Sequence, residues 1–140
     1  MPEENIKPKV SIVLPVYNVG KFLPYALDSL INQTLKEIEI ICIDDKSTDN
    51  SLEIIKEYSQ KDKRIIVIEQ EQNKGEVVAK HKGALIAKAD YIGTLDPDDW
   101  VTLNYYEEMY KSIIENQADM TYCSYQITKE NGKLKNKFMH

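Results

Sequence analysis

Short, nearly uninterrupted apolar runs alternate along this chain with segments whose apolar residues fall at helical spacing. VSIVLPV, at 10–16, is rich in β-branched residues, and residues 38–43, 65–68 and 91–95 read as three further strands. Phe22, Leu23, Ala26, Leu27, Leu30 and Ile31 mark a helix over 22–31, with Pro24 in its first turn. Ser47, Thr48, Asp49, Asn50 and Ser51 offer several caps for a second helix running to Gln60. Gly75 opens a third, with Val77, Val78, Ala84 and Leu85 on its apolar side, and Tyr105, Tyr106, Met109, Tyr110, Ile113 and Ile114 mark a fourth. Residues 118–127 alternate weakly, as a fifth strand would, and from Lys129 onward the chain reads as a loose, lysine-rich tail. Near-continuous apolar strands separated by helices predict an α/β fold: a mostly parallel sheet with helices on both faces. A length of 140 residues fits one domain, 1–140, with a real core.

Charge and composition exclude several functions. A formal charge of -5 argues against a nucleic-acid partner, since phosphate contacts need a basic face. No apolar run reaches the roughly 20 residues of a transmembrane segment, and the first residues lack the apolar stretch of a signal peptide. The compartment expected is cytoplasmic, with at most a peripheral membrane association. Cys42 and Cys123 read as two buried, reduced thiols, with a disulfide or metal pair as the alternative.

In parallel α/β sheets, ligands sit outside the carboxyl ends of the strands. Three polar features fall there: Tyr17-Asn18 after the first strand, Asp44-Asp45 after the second, and Asp96-Pro97-Asp98-Asp99 after the fourth. The last has two readings. It is an ordinary turn in which Asp98 or Asp99 caps the next helix, or its carboxylates share a hard divalent cation with a phosphate ligand. A phospho-receiver domain fits poorly, because its acidic pair follows the first strand and not the second.

Taken in order and spacing, VSIVLPVYN, IICIDDKSTDNS, NKGEVVAKHKG and ADYIGTLDPDDW resemble the family-two glycosyltransferases of the GT-A fold, over about residues 10–126. The resemblance implies that Pro15, Tyr17 and Asn18 line a nucleotide base, and that Asp45 accepts a hydrogen bond from a uracil N3–H. Asp44 becomes a turn residue. Asp96 faces the ribose and the metal shell, Asp98 is the principal ligand of Mg²⁺ or Mn²⁺, and Asp99 is a third member. Trp100 reads as packing. Family members commonly carry N-x-G-x-x-x-A-R-N-x-G, where this chain has Lys80 for the arginine and His81 for the asparagine. Lysine keeps a charge for the nucleotide but loses the planar fork, and His81 reads as a helix-borne packing residue. The implied function is metal-dependent, inverting transfer from a nucleoside-diphosphate sugar, with UDP favoured, to a glycan or lipid-linked acceptor in surface glycan synthesis. The family's general base and acceptor-binding half are expected beyond residue 140, which makes the chain a truncated GT-A domain; Asp119 has no match to the base motif. The alternative is a catalytically incomplete fragment that only binds nucleotide sugar.

Overall fold

The computed structural model describes residues 6–128 and 134–136. Two compact units, Met1–Glu108 and Met109–His140, divide the chain. In the first, strands β1 (Val10–Val16), β2 (Ile38–Asp44), β3 (Ile65–Glu69) and β4 (Tyr91–Thr94) alternate with helices α1 (Leu23–Ile31), α2 (Ser51–Lys61) and α3 (Glu76–Ile86). All four strands pair in parallel in the order β3-β2-β1-β4. β1 and β2 are buried along their whole length, which is why their sequences are almost purely apolar. Helix α4 (Tyr105–Asn116) begins at the end of the first unit, and β5 (Ile127–Thr128) pairs antiparallel with β6 (Leu134–Asn136) in the second.

Chain order runs outward from β1 to β3, then returns across the sheet so that β4 pairs with β1 on its other side. The direction of winding therefore reverses between β1 and β4, and their carboxyl ends flank the crevice that such a reversal opens. Pro15 is tolerated in this central strand for a specific reason. Val13 faces β4, and its carbonyl accepts the Leu95 N–H at 3.2 Å. Pro15, two residues on, faces the same way, past the last β1–β4 pair of Val13 with Thr94, where no ladder bond requires its missing N–H.

The helical pattern of α3 misleads. Its expected apolar side is exposed: Val77 at 80% and Leu85 at 72%, with Val78 also exposed. The buried residues are Ala79 and Gly83, and Ala79 packs on Ile41 and Ile43 of β2. Small residues face the sheet because the helix lies very close to it. A Cβ placed on Gly83 would stand 2.4 Å from Cγ1 and 3.0 Å from Cγ2 of Val13, itself fully buried. Gly83→Ala gains about 1 kcal/mol of helix propensity, but overpacking against a stiff β-branched side chain costs about 1–3 kcal/mol. The expected net result is a loss of about 1 kcal/mol in urea unfolding. A more stable variant would show that α3 can back away from β1.

Other expectations also change. Residues 118–126 form no strand; Met120, Tyr122 and Tyr125 are exposed, so the weak alternation has no buried side to serve. Of the expected loose tail, 134–136 form β6, and 129–133 and 137–140 lie outside the described residues. Cys42 is buried and its thiol is pushed up to about 12 by that burial, whereas Cys123 is exposed; both are free. Among the described residues no helix is long and apolar enough to cross a membrane.

Candidate active site

The loops after β1 and β2 are zipped together by side chains. Asn18, at a positive φ of 49°, accepts from the Thr48 N–H at 2.8 Å and the Asp49 N–H at 3.3 Å through its side-chain oxygen. The Asn18 N–H donates to Ser47 Oγ, Val19 N–H to Ser51 Oγ and Gly20 N–H to Asp49 Oδ2. The Ser47–Ser51 stretch is therefore spent on the neighbouring loop, and the α2 N-cap, Asn50, makes no side-chain cap bond. Asp49 alone also serves the helix, accepting from the Ser51 N–H at 2.9 Å. Burial raises its carboxyl, but the bonds from Ser51 and Gly20 outweigh that and hold it below the usual value. Tyr17 stands beside this fixed loop with 46% of its surface exposed, whereas Pro15 is buried.

Asp44 and Asp45 close β2 facing opposite ways. Asp44 Oδ2 accepts the Ser47 N–H at 3.2 Å in a tight turn, and its buried Oδ1 has no partner among the described residues. Asp45, only 3% exposed, is more heavily engaged than the sequence suggests. Its Oδ1 accepts from Gln70 Nε2 at 2.8 Å and the Lys74 N–H at 2.7 Å, and its Oδ2 accepts from the Gly75 N–H at 2.8 Å. Gly75 is the α3 N-cap at φ 88°, a conformation that favours glycine. The Asp45 charge also lies at the positive end of the α3 dipole. Three donors leave about one of a carboxylate's four acceptor positions free.

Beyond β4, Leu95 turns inward and Asp96, Asp98 and Asp99 stand exposed. The Asp99 N–H donates to the Asp96 carbonyl at 2.9 Å, so the motif does make a turn. Lost hydration, then the charges of Asp98 and Asp96, hold the Asp99 carboxyl above its usual value. No metal-binding group of three His, Cys, Asp or Glu residues is assembled among the described residues. The loop is anchored from behind by residues whose role the sequence did not reveal. Gln33, fully buried, donates to the carbonyls of Ser29 and Thr102 and accepts from the Tyr106 N–H. Ser29 Oγ receives the Val101 N–H. Trp100, expected to pack, is 51% exposed, and His81 is also exposed.

Lys80 reaches across from α3. Its ammonium lies 3.2 Å from Asp96 Oδ1 and pairs with Glu76, one helical turn earlier. The Glu76 bond, opposed by lost hydration and joined by Asp96, raises its pKa and keeps it charged. Glu76 was missed, although a Glu four residues before a Lys on a helix is a legible signal. The structure thus brings Lys80 to Asp96 and places Tyr17 and Asn18 on the adjoining strand end.

A site at the reversal point of a parallel sheet, carboxylates on one side and a rigid aromatic loop on the other, suits a nucleotide carrying phosphates. The family model for glycosyl transferase family 2 matches residues 11–140, and the chain belongs to that family. Glycosyltransferase GlyA of Streptococcus pneumoniae is 45% identical over 117 residues, which is 84% of this chain and 17% of that protein. The poly(ribitol-phosphate) beta-glucosyltransferase of Bacillus spizizenii is 44% identical over 81% of this chain and 18% of its own length. The chain therefore spans less than a fifth of either relative. Among solved structures, S. aureus TarS 1-349 in complex with UDP-GlcNAc aligns with a TM-score of 0.73 at 24% identity, over 87% of this chain and 38% of that one. The mannosyltransferase PcManGT from Pyrobaculum calidifontis, in complex with GDP-Man and Mn²⁺, aligns at 0.62 and 19% identity over 71% of this chain and 30% of its own. These likenesses define the fold as GT-A.

Proposed function

We propose that this chain is the donor-binding part of a glycosyltransferase that uses a nucleoside-diphosphate sugar, UDP-linked, and a divalent ion, and that transfers the sugar with inversion to a glycan or lipid-linked acceptor. The observation that carries the reading is the meeting of the β1 and β4 ends, where Lys80 bridges to Asp96 beside the Tyr17–Asn18 loop. Names and complexes of the relatives support it: a glucosyltransferase among the sequences, UDP-GlcNAc in one structure, GDP-Man with Mn²⁺ in another.

Each residue has a task in that reaction. Tyr17 offers a half-exposed ring for a base to stack on. Asp45 keeps one acceptor position for the imide N–H of uracil; it offers no donor to cytosine. Pro15 and Asn18 line the base beside Tyr17, Asn18 also fixing the loop that carries it, and Asp96 accepts from the ribose. Asp98, with Asp96 and Asp99, would hold Mg²⁺ or Mn²⁺: the donors are all hard carboxylate oxygens, and the charge of Asp96 already draws the Lys80 cation. Such an ion, when bound, would stabilise charge on the departing diphosphate. Inverting transfer also needs a general base for the acceptor hydroxyl, and none of the residues given a task above supplies it.

A thermal-shift titration tests the reading. With Mn²⁺ present, UDP should bind about tenfold tighter than CDP, because cytosine leaves a buried acceptor opposite no donor. GDP is the third arm, since guanine also presents an N–H to a carboxylate. Equal responses to UDP and CDP overturn the uracil assignment, and no response to any nucleoside diphosphate overturns the function.

A further inference from the structure

Lys80 is held between two carboxylates on different elements, Glu76 on its own helix and Asp96 on the loop after β4. All three side chains keep solvent contact, at 32% for Lys80, 60% for Glu76 and 53% for Asp96. Ion pairs of such exposure contribute little and exchange partners easily. An ammonium is also a compact charge on a flexible stem, without the paired bonds that would fix a guanidinium to Asp96.

We propose that Lys80 is an exchangeable counter-cation: its ammonium neutralises Asp96 in the metal-free protein and passes to the diphosphate when a divalent ion and nucleotide arrive. Glu76 is its positioning residue. This rests on the reading that Asp96 and Asp98 hold the ion. A divalent ion at Asp96 and an ammonium 3.2 Å from the same carboxylate repel one another, so binding of the ion displaces the lysine. The displaced charge is then held over the site by Glu76, at the i, i+4 spacing that favours Glu before Lys. A nucleotide diphosphate supplies it with new acceptor oxygens. Lys80 thus opposes the metal alone and assists metal and nucleotide together, two couplings of opposite sign.

Mn²⁺ binding without nucleotide, followed by electron paramagnetic resonance, and UDP calorimetry at saturating Mn²⁺ read the two couplings separately. Lys80→Met should bind Mn²⁺ alone up to about fivefold tighter, the scale of one exposed ion pair. The same variant should bind UDP about tenfold more weakly, as expected for loss of a charged hydrogen bond. Glu76→Gln separates this from a general field effect. Removing a negative charge should by itself favour anionic UDP, whereas loss of the positioning contact weakens it. Lys80→Gln repeats the first test with a polar side chain should the methionine variant fold poorly. An Asp98-dependent Mn²⁺ response in the wild type, with Mn²⁺ affinity unchanged in both Lys80 variants, overturns this inference alone. So does tighter UDP binding by Glu76→Gln. Absence of Mn²⁺ binding in every protein, with UDP binding indifferent to metal, overturns the metal reading and this inference with it.

Discussion

Asp45→Ala should lower the free energy of unfolding by about 3 kcal/mol. The side chain is 3% exposed and accepts from Gln70 Nε2 and from the N–H groups of Lys74 and Gly75. Alanine leaves all three donors without a partner, at about 1–3 kcal/mol for each that stays buried, and it removes a negative charge from the α3 N-terminus. Part of the loss is recovered by water reaching Lys74 and Gly75, whose surroundings are more open. Urea unfolding measures the change, and a loss below about 1 kcal/mol would show that the opening of α3 is held by something else. The size of the effect bears on the base assignment. Alanine would disturb the position of Lys80 through α3 as well as the base contact, so lost UDP preference in that variant proves nothing about uracil. Asp45→Asn retains Oδ1 for Gln70 and Lys74 and is the sharper probe. It loses the Gly75 bond, because the new amide NH2 meets that N–H as a second donor, so it should cost less than alanine but more than nothing while removing the charge that accepts from the base.

The parallel sheet and its three crossovers were legible because the central strands β1 and β2, buried on both faces, leave little room for polar residues. VSIVLPV of β1 is interrupted only by Ser11 and IEIICID of β2 by Glu39 before its terminal Asp44, and those two bond each other, Ser11 Oγ and the Lys88 N–H donating to Glu39. The face of α3 was misread by the same logic. Counting large apolar residues selects Val77, Val78 and Leu85, but a helix lying this close to β1 can bury only Ala79 and Gly83. Hydrophobic size marks a buried face only where there is space to fill.

At the site, the acidic residues were legible by position, as polar residues at strand ends, and Lys80 only through the family resemblance, from its place in the motif on α3. Their partners were not. Gln33 and Gln70 look in sequence like surface residues, yet each is buried and satisfied by specific bonds, and only the fold reveals which carbonyls and carboxylates need them. Asp44 and Asp45 are adjacent and chemically identical. Their difference, one closing a turn to Ser47 and the other pinning α3, comes from the pleat that points them to opposite faces. Asn18, expected at the base, also has a structural task the sequence did not show: its side-chain oxygen accepts from the Thr48 and Asp49 N–H groups and so fixes the loop beside Tyr17.

Asp98→Asn should abolish the Mn²⁺-dependent strengthening of UDP binding, a loss of about tenfold or more for an ion bridging carboxylate and diphosphate. An amide is neutral and a poorer ligand for a hard cation, so the remaining carboxylates would bind it weakly. Nucleotide-free protein should respond in the opposite direction, melting at the same temperature or slightly higher. Asp98 is one of the charges that hold the Asp99 carboxyl above its usual value, after the larger effect of lost hydration. A carboxyl raised in the folded state favours folding when protonated, and that advantage disappears as pH rises through the raised value. Above that raised value the Asp99 carboxylate is repelled by its neighbours, so removing the Asp98 charge brings relief there; once Asp99 is protonated the relief vanishes. Asp96→Asn should weaken UDP binding less, because an amide can still meet a ribose hydroxyl and Lys80 is freed from its pair. Calorimetric titration of UDP with Mn²⁺ and with chelator, for wild type and both variants, reads these effects together. Metal-independent binding in the wild type, or a full metal response in Asp98→Asn, would return Asp96–Asp99 to the turn that its backbone bond already makes.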